Sequence, residues 1–152
     1  MSSKGFVVAE EGHVVSVYPP ASGVGNGDVF SMRHYNHASI IITQGVAASA
    51  TTITVERGDD FSPSNSTAIT FRYYQEATSG GDTLGARGSG TSLSMTSGSK
   101  QIAVIEIDAD QLTSSASTLY VKNSGGTKNN YSCVAILSGA RFGAPESATE
   151  IA

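Results

Sequence analysis

The chain has 152 residues, of which only 14% are charged, against roughly 25% in an average soluble domain. Its 23 serines, 14 threonines and 17 glycines indicate a surface that is polar rather than ionic, and a net charge of −4 argues against a basic face that holds nucleic acid. No apolar run approaches the ~20 residues of a membrane helix, and the N-terminus has no apolar signal core. We therefore expect a protein made in the cytoplasm that binds neither membrane nor nucleic acid.

The hydrophobic pattern predicts an all-β fold. No window of twelve residues combines helical spacing of apolar positions with freedom from glycine and clustered β-branched residues. Short segments rich in Val, Ile, Thr, Tyr and Phe instead recur at about ten- to fifteen-residue spacing between Gly, Ser, Asn and Asp turns, as in sandwiches and barrels. A chain of this length can bury one core, so we predict a β-sandwich with an extended N-terminal arm.

Residues 1–27 differ from the rest and are interpreted as an arm and tether that precede a sandwich domain at residues 28–152. Two β-prone runs, Gly5–Ala9 and His13–Tyr18, are followed by Pro19–Pro20, which interrupt a strand ladder, and by a glycine-rich stretch ending at Gly27. We expect an apolar arm of this kind to bury its side chains against a neighbouring subunit or another partner. The alternative is an ordinary edge hairpin of the same domain. The candidate partner-binding residues are Phe6, Val7, Val8, Val14, Val15, Val17 and Tyr18.

Further along the chain, two segments are apolar on both faces and are therefore predicted to be central strands: Ala38–Thr43 and Ile102–Ile107. Thr51–Arg57 and Ala68–Tyr74 alternate instead, so that each strand has one apolar side. Further strands are expected at Ser92–Thr96, Ser117–Lys122 and Tyr131–Leu137, and one helical turn at Asp108–Leu112.

The segment Arg33–His37 contains two histidines and could be considered as a metal site. The spacing of the two histidines in the chain disfavours this hypothesis. His34 and His37 would point to opposite faces of a strand, so the backbone would have to bend for both to reach one ion, and no third ligand follows nearby. A structural role at the entrance to the next strand explains them better. We expect neither a metal nor another cofactor.

The remaining reactive side chains also lack a catalytic pattern. Asp59–Asp60, and Asp108 with Asp110, adjoin turns and do not match the spacing of a calcium-binding loop. The single cysteine, Cys133, excludes an internal disulfide, and its apolar neighbours predict a buried thiol with a raised pKa. No Gly-x-Ser-x-Gly elbow precedes a plausible helix. We therefore expect no catalytic residues and no enzymatic activity.

Six segments are informative when taken together: Asp28–Ile42, Thr52–Glu56, Asp59–Phe61, Thr67–Phe71, Val104–Asp108 and Ala135–Arg141. They resemble a family of small tailed-phage virion proteins encoded close to the major capsid protein, the head decoration (cement) proteins. The resemblance covers most of the chain from Asp28 and implies a β-sandwich or jelly-roll-like subunit on the capsid exterior. It also implies two partners, the major capsid protein and the chain itself as a homotrimer, and a role in holding neighbouring capsomers together.

Two other functions remain open at this level. A glycan- or receptor-binding sandwich on a fibre, tail or head surface would need an exposed aromatic platform, for which Tyr73, Tyr74 and Tyr120 are the candidates. A hydrolase would need its carboxylates and histidines to converge in a concave site.

Overall fold

A computed structural model describes residues 5–22, 25–76, 78, 81–97, 100–113, 116–125 and 130–140. These residues form two antiparallel sheets that pack face to face around one core, which confirms the predicted all-β sandwich. The large sheet has the order β1 (His13–Ser22), β11 (Asn130–Ala140), β3 (Tyr35–Gln44), β9 (Gln101–Asp108), β6 (Phe71–Gln75) and β7 (Gly88–Gly90). The small sheet has the order β2 (Phe30–Ser31), β10 (Thr118–Ser124), β4 (Thr51–Gly58) and β5 (Thr67–Ala68), and β8 (Leu93–Met95) also pairs with β4.

Alternation of side chains along the strands builds the core. Successive residues of a strand point to opposite faces, and along β9 every second residue is buried. Ile40 and Ile42 of β3 belong to the same apolar cluster as Val55 and Leu119 of the small sheet. As predicted, β3 and β9 lie in the interior of the large sheet, each paired on both sides.

The segment His13–Ser22 belongs to the sandwich, so the arm prediction is wrong for these residues. It pairs antiparallel with β11 from His13 opposite Leu137 to Ser22 opposite Asn130, and it forms one edge of the large sheet. Its inward residues Val15 and Val17 are 4% and 0% exposed and complete the core there. The predicted boundary at residue 27 therefore falls inside the sandwich. The chain follows the edge-strand alternative, although the strand's partner is the distant β11 rather than a hairpin neighbour.

The two prolines and the glycine-rich stretch are accommodated at this edge. The register of β1 shifts between Tyr18 and Ala21, where Pro19–Pro20 lie, and an edge strand tolerates residues without an N–H. The predicted tether is anchored where it is described: Gly27 N–H donates to Val121 O at 2.9 Å and Asp28 N–H to Val17 O at 2.8 Å. A Cβ on Gly27 would lie 2.7 Å from Val17 Cγ1, so this close approach requires glycine.

Other local differences have simple causes. Val8–Glu11 forms a short helix, α1, where the sequence predicted β structure, and it buries none of its residues. The predicted strand Ala68–Tyr74 is split, because the chain leaves the small sheet after β5 and enters the large sheet at β6. The predicted helical turn after β9 is confirmed at Ala109–Gln111, where Asp108 N–H donates to Gln111 Oε1 at 2.9 Å.

Val14 and Val17 provide a matched test of the position of β1. Val17→Ala should lower the free energy of unfolding by about 2 kcal/mol, because it removes buried methyl groups from a fully packed site. Val14→Ala, in the same strand but 48% exposed, should change it by less than about 0.5 kcal/mol. Urea unfolding followed by circular dichroism measures both. Equal small effects would contradict the placement of β1 in the core.

The buried thiol and a buried phenol make stability depend on alkaline pH. Burial raises the pKa of Cys133 to about 12, as the sequence predicted in direction, and it also raises the pKa of Tyr131. In the unfolded chain the pKa of the thiol is about 8.5. The contribution of Cys133 to stability is therefore fully present below that pH and is lost as the pH rises towards 12.

We expect the unfolding free energy of the wild-type protein to fall by about 1 kcal/mol per pH unit more than that of Cys133→Ala between roughly pH 9 and 10.5. Urea unfolding at a series of pH values measures both slopes, and the variant is the control for every other group that titrates there. Identical slopes would mean that the thiol is accessible to water.

Candidate functional site

The outer face of the large sheet, meaning the face turned away from the small sheet, carries a line of apolar side chains. Directly paired residues of an antiparallel sheet lie on the same face. The register places Val134 of β11 beside Ile41 of β3, Ile41 beside Val104 of β9, and Val104 beside Tyr74 of β6. We call these four residues the apolar row. Each is half-buried by its neighbours in the sheet.

An apolar row is unusual on this side of a sandwich. A sheet that packs on one face only normally presents polar residues on the other, and contiguous apolar surface marks a site of interaction. This surface could be detected in the sequence, because the two segments predicted as central strands are apolar on both faces. Ile41 and Val104 lie on the face of these strands that is turned away from the core. Central position alone does not account for them, since nothing in the described chain forms a second layer over the row.

Three further apolar side chains near the N-terminus are exposed: Phe6, Val7 and Val14. Phe6 is 69% exposed, the highest value for any large apolar side chain in the described ranges. Of these, Val14 lies at the β1 end of the outer face, where it pairs with Ile136, and a Cβ on the nearby Gly12 would lie 2.6 Å from Ile136 Cγ2.

The candidate partner-binding residues divide into three groups by burial. Phe6, Val7 and Val14 are exposed, and for them partner binding stays a prediction. Val8 and Tyr18 are half-buried, and the Tyr18 ring packs on Tyr131 with 5.1 Å between centroids. For Val15 and Val17 the prediction is wrong, because both side chains fill the core of their own chain.

Beside the apolar row, the outer face carries a group of charged residues that we call the ion cluster: His37, Glu106, Asp108 and Arg72. His37 Nδ1 lies 2.7 Å from Asp108 Oδ1, and its Nε2 lies 2.6 Å from Glu106 Oε2. Arg72 Nη2 donates to Asp108 Oδ2 at 2.6 Å, and Ser39 Oγ donates to Glu106 Oε2 at 2.7 Å. The imidazole of His37 thus lies between two carboxylates, and Arg72 faces one of them.

This geometry differs from that of a nucleophilic triad. In a triad the hydroxyl donates to the imidazole, whereas Ser39 donates to Glu106 and both nitrogens of His37 face carboxylates. The cluster instead joins β3, β9 and β6 across the sheet by charge-assisted hydrogen bonds. The structural role expected for His37 is consistent with these contacts, but the sequence did not identify Glu106 and Arg72 as its companions.

The other residues considered for chemistry lie elsewhere. His34 lies in the turn before β3, and Asp59–Asp60 follow β4 in the small sheet, where Asp60 Oδ1 accepts from Ser62 N–H at 2.8 Å. In the described part of the chain, no group of three or more His, Cys, Asp or Glu residues is arranged to hold a metal ion. Across the same ranges, no helix is long and apolar enough to cross a membrane.

The three tyrosines proposed as a glycan platform do not share a surface. Tyr73 and Tyr74 are successive residues of β6 and point to opposite faces, and Tyr120 of β10 is buried. A shallow depression of about 280 Å³ contains none of the three. Its lining residues are Pro20, Thr43, Gly45, Asn130, Tyr131 and Ser132.

Comparison with known proteins establishes similarity at the level of the fold. No protein-family model matches the chain, and no curated protein matches it. The crystal structure of the SPBc2 prophage-derived protein YomS is similar, with a TM-score of 0.52 and 13% sequence identity. The match covers 84% of this chain and 94% of that chain. The two proteins therefore share the architecture of the sandwich over most of their lengths.

A double-mutant cycle tests the ion cluster. We expect His37→Ala and Glu106→Ala to be coupled by about 1 kcal/mol in the free energy of unfolding, since each removes the same charge-assisted hydrogen bond from a half-exposed site. Urea unfolding of the two single variants and the double variant gives the coupling. The control pairs His37→Ala with Glu56→Ala on the small sheet, which should be additive. Equal coupling in both cycles would rule out the contact.

Proposed function

We propose that the chain is a structural virion protein of a phage, which binds the outer surface of the capsid as a homotrimer and stabilises it. The observation that carries the proposal is the apolar row on a sheet face that nothing in the described chain covers. A surface of this kind supports a function based on association. The resemblance to head decoration proteins and the fold shared with a prophage-derived protein support a phage setting.

The surface composition suits subunits that pack closely on a shell. With only 14% charged residues and a net charge of −4, like copies repel one another weakly at short range. Beside the apolar row, Arg72 and Asp108 form an ion pair within the chain at 2.6 Å. Removing this pair from water therefore leaves neither of its two charges without a partner.

Stabilisation of a shell follows from repetition. A capsid offers the same binding site many times, and a homotrimer engages several such sites at once, so that modest single contacts add to a firm attachment. A trimer bound across neighbouring capsomers opposes their separation. The chemical requirement is complementary surface rather than a reactive group.

The proposed function can be tested with heads of the phage that encodes this protein, assembled in its absence. We expect the purified protein to sediment as a trimer, to co-sediment with these heads, and to raise the temperature at which they rupture. Val104→Glu should abolish both sedimentation properties, because it places a charge in the middle of the apolar row.

Thr52→Glu is the matched control, since it puts the same charge on an exposed position of the small sheet and should behave as wild type. Wild-type protein that does not co-sediment with the heads, or equal rupture of decorated and bare heads, would refute the proposed function.

A further inference from the structure

Buried polar side chains are concentrated at one end of the core, where β3 ends and β4, β9 and β11 begin. Five polar side chains are buried in the described part of the chain, and four of them lie at this end: Gln44, Thr51, Gln101 and Asn123. The fifth, Thr118, lies at the opposite end of β10, where its hydroxyl is 2.8 Å from Gly58 O. We call the four residues, together with the buried Tyr131 at the start of β11, the polar end.

Hydrogen bonds join the two sheets at one side of the polar end. Gln44 Nε2 donates to Thr96 O at 3.0 Å, and Thr96 N–H donates to Gln101 Oε1 at 2.7 Å. Thr96 follows β8 of the small sheet, whereas Gln44 and Gln101 are paired residues of the large sheet. Gln44 also pairs directly with Tyr131, so these two side chains lie on the same face. The contact with Thr96 fixes the orientation of the Gln44 amide and leaves its Oε1 as the atom that needs a donor.

Four buried polar atoms of the polar end have no hydrogen-bond partner among the described residues. They are Gln44 Oε1, Asn123 Oδ1, Asn123 Nδ2 and the Tyr131 hydroxyl, and each of the three side chains is at most 5% exposed. The thiol of Cys133 lies near the Tyr131 hydroxyl, but a thiol is a weak partner. Because a buried polar group without a partner is costly, folded proteins nearly always pair such groups with protein or with ordered water.

The strand register places Asn123 and Tyr131 at the same level on opposite walls of the core. The connection Gly27–Asp28 donates its N–H groups to Val121 O of β10 and to Val17 O of β1, which aligns these two strands. Asn123 is the next inward residue beyond Val121 on β10. On β11, which pairs with β1, Tyr131 is the next inward residue beyond the level of Val17. The two side chains therefore enter the same space between the sheets without a direct hydrogen bond.

We propose that ordered water occupies the polar end and bridges Asn123 of the small sheet to Tyr131 and Gln44 of the large sheet. The unpaired atoms comprise two carbonyl oxygens, an amide nitrogen and a hydroxyl, so their partner must both donate and accept hydrogen bonds. Water does both, and a buried water molecule makes about three hydrogen bonds.

An ion does not meet these requirements. A cation would leave the Asn123 Nδ2 donor unpaired, and an anion would leave the two carbonyl oxygens unpaired. None of the buried side chains in the described ranges carries a charge that could balance an ion. The water joins the two sheets of a single chain, so this site is independent of the proposed capsid function.

Nuclear magnetic resonance of the isotope-labelled wild-type protein tests for the water directly. We expect cross-peaks between water and the side-chain amide protons of Asn123, with opposite signs in the laboratory-frame and rotating-frame Overhauser experiments, as for a long-lived bound molecule. The exposed amide of Asn36 in β3 is the control and should give no such pair of signals, because surface water exchanges rapidly. Their absence at Asn123 would overturn the proposal, and this measurement does not depend on the folding of any variant.

A double-mutant cycle in urea unfolding tests the bridge. Tyr131→Phe and Asn123→Leu should each raise the unfolding equilibrium constant about tenfold, because each leaves the water and the opposite side chain short of a partner. The double variant should also show about a tenfold effect rather than the product of the two, since both partners of the bridge are then gone.

The control cycle combines Asn123→Leu with Thr118→Val at the opposite end of β10, and these effects should multiply. Effects that also multiply in the cycle of Asn123 and Tyr131 would overturn the bridge. A Tyr131→Phe variant that is more stable than the wild type would do the same, because it would mean that the hydroxyl is buried without a partner.

Discussion

The register of strand pairing in the large sheet is the constraint on which the other features depend. Because side chains alternate with a period of two, a slip of one residue between β3 and its neighbours would exchange the two faces of the strand. The observed register turns Ile40 and Ile42 into the core and leaves Ile41 on the outer face. The core and the apolar row are two results of the same pairing.

The ion cluster depends on this register as well. His37 lies directly opposite Asp108, and Ser39 directly opposite Glu106, so the hydrogen bonds of the cluster form only in this alignment. Burial of Ile105 and Ile107 on the opposite face favours the same alignment. Core packing and outer polar contacts therefore reinforce one another, and agreement between levels is typical of a sequence that specifies one structure.

The outer face combines an apolar centre with a charged margin, the arrangement found in protein interfaces. The ion cluster borders the apolar row on one side, and Thr43 and Ser132, which share a hydrogen bond, lie on the other. The shared fold with YomS gives the architecture and no more, since folds of this class serve many functions. What a sandwich of this kind binds is therefore decided by its surface and not by its fold.

Local sequence determined the all-β class, the positions of β3, β4 and β9, the turn at Ala109–Gln111 and the burial of Cys133, because periodicity and turn residues act over a few neighbouring positions. The alternation along β1 also showed that Val15 and Val17 lie on one apolar face of a strand. It does not show whether that face packs in the core of the same chain or against a partner. Tertiary structure alone placed them against β11, more than a hundred residues away along the chain, and alone brought His37 to Glu106 and Asp108. Pairing between distant strands is decided by the joint packing of the whole core, and no local pattern contains that information.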